Sequence, residues 1–203
     1  MARPREFDES HALDAAMQCF WRRGYEATSL RDLMRAMGLT APSLYNSFGD
    51  KQKLFVRTLE RYLDHTTRDR LRRLEQTLPP RRALECFFAE IIEHSLKDKE
   101  RKGCFLVNSA LEIAPHDVRC RAMIAAQFTG IEAFFRRCVA AAQRDGTASK
   151  HIDPDDAARL FLSALLGIRV MARTNPERKI LEGLARPALA LLGKRRQNRK
   201  HKQ

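Results

Sequence analysis

Long apolar runs are missing from this 203-residue chain. Its most apolar stretch, residues 160–168, contains Ser163 and Gly167 and stops at Arg169. That is far short of the roughly 20 apolar residues a helix needs to cross a bilayer. No apolar core follows Met1-Ala2-Arg3-Pro4-Arg5, so no export signal is expected. β-branched apolar residues are scarce, five Val and eight Ile against 26 Ala and 24 Leu, and no run alternates apolar with polar residues as a half-buried strand does. Small and straight-chain residues lose little entropy in a helix, so the fold class expected is all-α. The five Cys are odd in number, scattered, and form no CxxC pair, which fits reduced thiols in a cytoplasmic protein. Catalytic motifs are missing too: there is no GxSxG, no HExxH and no phosphate-binding glycine loop ending in Lys-Ser or Lys-Thr. The six His fall at no metal-ligand spacing, and Asp155-Asp156 sit where acids suit a helix dipole. No catalytic residue, metal site or cofactor is expected.

What the chain has is positive charge, formally +13, but it is unevenly placed. Six of the last ten residues, KRRQNRKHKQ, are Lys or Arg and none is acidic. Residues 1–50, by contrast, hold six Arg and seven acids. Charge suggests a polyanionic partner without locating it, so a nucleic-acid site has to be argued from geometry.

The geometry starts at Asp8, a cap for a helix whose apolar stripe is Leu13, Ala16, Met17 and Phe20 and which Gly24 ends. Thr28 or Ser29 caps a short second helix with Leu30, Leu33 and Met37 inward, and Gly38 follows where a tight turn needs positive φ. Thr40 caps a third, with Ala41 and Pro42 in its first turn and Leu44 and Phe48 inward. Asp50 caps a long fourth helix that runs to Pro79-Pro80. Two short helices joined at a glycine and held by a longer one form a helix-turn-helix, whose second member enters a major groove. Its outward polar groups need no partners inside the protein, because DNA supplies them.

The run Thr28-Ser29-Leu30-Arg31-Asp32-Leu33, then Gly38-Leu39-Thr40, then Ser43-Leu44-Tyr45-Asn46-Ser47-Phe48-Gly49-Asp50-Lys51 resembles the DNA-binding signature of the TetR family of repressors. The resemblance covers about residues 5–60, and it departs from the family pattern at Met34 and Ala41. It implies a dimer on a roughly palindromic operator, with affinity that falls steeply with salt. Thr28, Thr40, Tyr45 and Lys51 are the expected phosphate contacts, and Pro42, Ser43 and Asn46 the expected readers of base edges. Arg3 and Arg5 are placed to reach a minor groove.

Past Pro80 the pattern stays helical, giving about nine helices in all. The helix over residues 154–173 is apolar nearly all round, so it has to bury more than one face. Leu162, Leu166, Gly167 and Val170 are the expected dimer contacts, and a kink is expected at Pro187 in the last helix. The resemblance implies a pocket for a small-molecule effector in this body, and Phe88, Phe128 and Met171 are candidates to line it, although each also reads as core. In Arg101-Lys102-Gly103-Cys104-Phe105-Leu106-Val107-Asn108, Cys104 follows two cations at a helix start, where a thiolate is favoured. That run resembles a TetR subgroup containing electrophile- and oxidant-responsive repressors, which makes Cys104 and Asn108 sensor candidates. The expected organisation is a DNA-binding domain over residues 1–50, an effector-binding and dimerisation domain over 51–193, and a basic tail without a fold over 194–203. The expected function is a ligand-responsive repressor; the alternative is an effector-independent architectural or partner-recruiting protein on the same fold.

Overall fold

The computed structural model describes residues 8–193, and among them there is no β-strand. Arg3, Arg5 and the basic tail lie outside the described residues. The helices are α1 (Glu9–Arg23), α2 (Leu30–Met37), α3 (Ala41–Phe48), α4 (Lys51–Tyr62), a π-helical turn (Leu63–Arg68), α5 (Asp69–Thr77), α6 (Pro80–Lys97), α7 (Phe105–Glu112), α8 (Val118–Arg144), α9 (Pro154–Thr174) and α10 (Arg178–Ala190). The fourth helix of the sequence reading is thus α4 and α5 joined through a π turn. At that turn the Thr66 hydroxyl donates to the Tyr62 carbonyl at 2.6 Å. No helix among the described residues is long and apolar enough to cross a membrane.

The chain divides into two compact units. One contains the chain up to Arg68 together with Cys104–Ile124; the other contains Asp69–Gly103 and the chain from Ala125 onward. The expected boundary at residue 50 therefore falls inside the first unit. The reason is packing: Leu54, Phe55 and Leu59 of α4 are almost fully buried. The Phe55 ring meets Phe20 of α1 edge-on at 5.1 Å and Phe105 of α7 at 5.5 Å. α4 is a structural member of the first unit, and α7 joins it from far along the chain.

Local signals set the ends of the helices in this unit. Asp8 accepts from the amides of Ser10 and His11 at 2.9 and 3.1 Å, and Gly24 stops α1 at φ 86°. Ser29, not Thr28, caps α2, in a reciprocal capping box with Asp32. Two arginines of α4 then clamp α1. Arg61 grips Asp14 with two bonds of 2.6 and 2.8 Å, while Arg57 pairs with Glu9 and lies over the Phe48 ring. The Arg61 guanidinium is the main reason the Asp14 carboxyl ionises below its usual range.

In the second unit, Phe87, Phe88, Phe134, Phe135 and Phe161 form one buried aromatic cluster, with Phe88 and Phe135 stacked at 5.8 Å. Arg73 of α5 holds Glu90 of α6 at 2.6 and 2.7 Å. Asp153 caps α9, as Asp-Pro predicts. α10 runs past Pro187 to Ala190 as one helix. α9 is not apolar to the core all round: Leu160 and Val170 are 42% and 47% exposed, and Arg169 is buried.

Candidate nucleic-acid interface

α3 owes its shape to two inward side chains and two ends. Leu44 and Phe48 are buried, one turn apart. The Thr40 hydroxyl caps the Ser43 amide at 3.5 Å, and Gly49 ends the helix at φ 75°. The link to α2 is Gly38, at φ 66° and ψ 28°, a left-handed conformation that an L side chain adopts at a cost. No charged residue occurs within α3. Its first turn holds no acid, so an anion near the start of the helix meets no like charge there.

The outward face brings together most of the residues expected from the sequence. Thr40, Pro42, Tyr45 and Asn46 are exposed and Ser43 half-exposed. The Thr40 and Ser43 hydroxyls lie 3.0 Å apart. The Tyr45 and Asn46 side chains make no hydrogen bond among the described residues, and Tyr45 is 49% exposed. Lys51, at the start of α4, joins this face with its ammonium 4.3 Å from the centre of the Tyr25 ring. Tyr25 was not a sequence candidate. Its role is to fix a flexible cation, and only the folded arrangement shows it.

Thr28 does not belong to this surface. It is fully buried, its hydroxyl donates to the Gly24 carbonyl at 2.6 Å, and its amide donates to the Tyr25 carbonyl at 3.3 Å. Both donors are spent on the turn between α1 and α2, so none is left for a phosphate.

That turn is also gripped from α7. The Glu112 carboxylate accepts from the Glu26 amide at 3.0 Å, and it lies so close to Gly24 that a Cβ there would sit 2.7 Å from it. Just beyond α7, Asp117 accepts from the Gln52 side chain at the start of α4 and from the Cys120 amide at 2.7 Å. The segment following Cys104 is thus fastened at two points, to the turn before α2 and to the start of α4.

The effector candidates divide between the units. Cys104 and Asn108 lie in the first; Phe88, Phe128 and Met171 lie in the second. Cys104 is at the N-cap of α7, as the sequence implied, but its thiol is buried, with the Tyr62 hydroxyl 3.6 Å from the sulfur. Phe88 belongs to the aromatic core, whereas Phe128 and Met171 are half-buried. Phe88 also lines an open groove of about 500 Å³ between α6 and α10, whose rim carries both signs of charge, among them the Glu93–Arg178 pair. Burial pushes the thiols of Cys120 and Cys138 up to about 12. No group of His, Cys, Asp or Glu among the described residues is arranged to hold a metal ion.

Of the expected dimer contacts, Leu162 and Leu166 are half-buried and Val170 exposed. Gly167 would place a Cβ 3.8 Å from Leu184 of α10, an ordinary contact, so no close approach within the chain depends on it. Leu160, Ser163 and Val170 form the exposed stripe of α9.

Comparison with known proteins agrees with this architecture. Residues 12–58 match the family of bacterial regulatory proteins described as tetR family, and residues 80–186 match a tetracyclin repressor-like C-terminal domain. The uncharacterised HTH-type transcriptional regulator YezE of Bacillus subtilis is 30% identical over 95% of this chain and 100% of its own. The HTH-type transcriptional repressor ComR of Escherichia coli is 31% identical over 93% of this chain and 90% of its own. Among solved structures, a cysteine mutant of the TetR family regulator CifR in complex with a 26-base-pair operator duplex superposes with a TM-score of 0.83. It is 31% identical and covers 94% of this chain and 100% of its own.

Proposed function

Because the chain belongs to the TetR family of bacterial transcriptional regulators, we propose that it represses transcription by seating the α3 of each of two subunits in the major groove of an operator, and that an effector releases it. The observation that supports this most directly is the outward face of α3, which presents unpaired neutral donors and acceptors on a helix anchored by Leu44 and Phe48. Asn46 is suited to the paired donor and acceptor of adenine, Ser43 to several base edges, and Pro42 to a thymine methyl. Thr40, Tyr45 and Lys51 then hold phosphates on either side. ComR is a repressor by its name, and CifR has been captured on operator DNA; both support the same reading here. Such a protein works in the bacterial cytoplasm, at the nucleoid.

A second copy would cover the stripe of Leu160 and Val170 on α9, with Leu162, Leu166 and Gly167 at its border. Dimerisation spaces two reading helices about 34–36 Å apart or at a longer helical repeat, so the operator is roughly palindromic. An effector that acts within the first unit reaches the DNA-facing elements through α7. Any displacement of that helix moves Glu112 and Asp117, and with them the turn before α2 and the start of α4. If the effector is an electrophile, Cys104 at the N-cap of α7 is its acceptor, with Asn108 one turn on. Cys104→Ser then abolishes release by that electrophile, and unchanged release removes this branch.

The test is operator binding by fluorescence anisotropy across a salt series, with light scattering for the oligomer. The expected result is a dimer whose affinity falls with a log–log slope of about −0.9 per phosphate contact. A monomer, or a flat salt response with no preferred sequence, overturns the reading.

A further inference from the structure

Arg169 is a buried cation on α9, between Ile168 and Val170. It is 6% exposed, and its one hydrogen bond among the described residues goes from Nη1 to the Ser95 hydroxyl of α6 at 3.3 Å. Ser95 in turn donates to the Ile91 carbonyl at 2.8 Å, so its oxygen acts on Arg169 purely as an acceptor. A neutral hydroxyl orients a guanidinium without neutralising it. Among the described residues no carboxylate lies within ion-pair distance of Arg169, although most other cations of this unit have one. Burying a charge is unfavourable unless a counter-charge arrives. Among the described residues no fully buried side-chain nitrogen or oxygen lacks a partner. The guanidinium N–H groups that Ser95 leaves over therefore face accessible space.

The ionisable groups whose fields reach this spot are mostly cationic. His94 adjoins Ser95 on α6 and is exposed only in part, with its ring packed among neighbouring side chains. Its imidazole is held below its usual range, first by burial and then by the positive fields of Arg169 and Arg70. Arg70 and Lys102 in the same neighbourhood already have acidic partners, Glu90 and Glu100. Asp98, the nearby acid, is bound to the Gly103 amide at 2.9 Å. One turn away on each helix, Ile91 and Leu165 are buried and apolar.

We propose that Arg169 is the anchor of an effector site for a small organic acid, whose carboxylate takes the guanidinium N–H groups that Ser95 leaves free. The planar fork matches a carboxylate with two parallel bonds. Ser95 positions the fork, and the His94 imidazole stands at the rim. The proposal rests on the reading that this unit takes up an effector. It adds the ligand's chemical class.

The probes are benzoate and octanoate, compared with benzamide and octanamide, their neutral counterparts. Binding to the full chain is read by thermal shift, and release by anisotropy on operator DNA. At least one acid is expected to raise the melting temperature and weaken operator binding, and its amide to do neither. In Arg169→Gln the apparent affinity for that acid falls roughly 10- to 100-fold, the factor that corresponds to losing hydrogen bonds to a charged group. Should that variant fail to fold, Arg169→Lys keeps the charge and loses the fork, and a drop of about tenfold is expected. Amides that bind as well as acids overturn the site, as does acid affinity unchanged in whichever variant folds. So does indifference of the wild-type protein to both acids while it still binds its operator. A protein that binds no operator at all instead overturns the regulatory reading, which separates the two failures.

Discussion

α2 and α3 have eight residues each, start at a hydroxyl cap and stop at a glycine with positive φ. Both bury two residues toward the same core, Leu33 and Met37 from one, Leu44 and Phe48 from the other. Their outward faces differ. α2 carries Arg31, Asp32 and Arg35, and Asp32 is engaged by Ser29 and by Arg23 at 2.9 Å. α3 carries no charge, and its Tyr45 and Asn46 are engaged by nothing among the described residues. α2 spends Asp32 on its own cap and on Arg23, whereas α3 keeps Tyr45 and Asn46 without partners among the described residues. That difference, and not length or capping, supports α3 as the proposed reader.

If the inward faces are equivalent, truncating either should be equally damaging. Leu33→Ala and Leu44→Ala are each expected to cost about 2–5 kcal/mol, measured by urea unfolding. A Leu44→Ala protein within about 0.5 kcal/mol of wild type would mean that α3 is not anchored as described. The outward faces should then separate. Asn46→Ala is expected to weaken operator binding by about 1–3 kcal/mol, and to do so selectively at the base it reads. Its stability should stay within about 0.5 kcal/mol of wild type. Arg31→Ala on α2 should weaken binding less and uniformly across sequences, as a phosphate contact does. Base-selective loss at Arg31 instead of Asn46 would reverse the assignment of the reading helix.

The caps give a finer separation. Ser29→Ala removes a complete capping box and should cost about 1 kcal/mol of stability. Thr40→Ala removes a cap whose bond is already long, 3.5 Å, so its loss of stability should be smaller. Its loss of operator affinity should be the larger of the two, because Thr40 is exposed at the reading face. Unfolding curves and anisotropy on the same pair of variants check both halves.

How much of this was legible in the sequence follows from how local each signal is. Caps at Asp8, Thr40, Asp50 and Asp153, the glycine stop at Gly38, and the pairing of Leu44 with Phe48 are set by residues within one helical turn, and all were readable. So were the exposed positions of α3. What was not readable depends on distant partners. Thr28 looked like an exposed cap, but the turn after Gly24 folds it inward. Glu112 gave no sign that it would settle on a turn 86 residues earlier. The domain boundary at residue 50 missed Phe105, which fills the gap beside Phe55. The π turn at Leu63–Arg68 leaves the apolar pattern nearly intact, so periodicity could not mark it. Arg169 ended an apolar run on paper and is buried in the fold.

The smallest expected effect tests the chemistry of the two caps. Asp32 is half of the α2 capping box, and its carboxyl is lowered from 3.8 to about 2, chiefly by the hydrogen bonds from the Ser29 hydroxyl and amide. A carboxyl lowered on folding contributes stability that is fully present above its unfolded value and is lost as the pH falls through the folded one. The α2 contribution should therefore be complete above pH 3.8 and disappear toward pH 2. α3 starts at Thr40, whose hydroxyl does not titrate in this range, and contains no ionisable group other than the Tyr45 phenol. Carboxyl-carbon and amide NMR shifts followed from pH 6 to 2 should move at Asp32 and the Ser29 amide, while the Ser43 amide stays put until the protein unfolds. Equal and simultaneous movement at both caps would show that the two helices share one electrostatic anchor, and the contrast between them would then have to rest on their side chains alone.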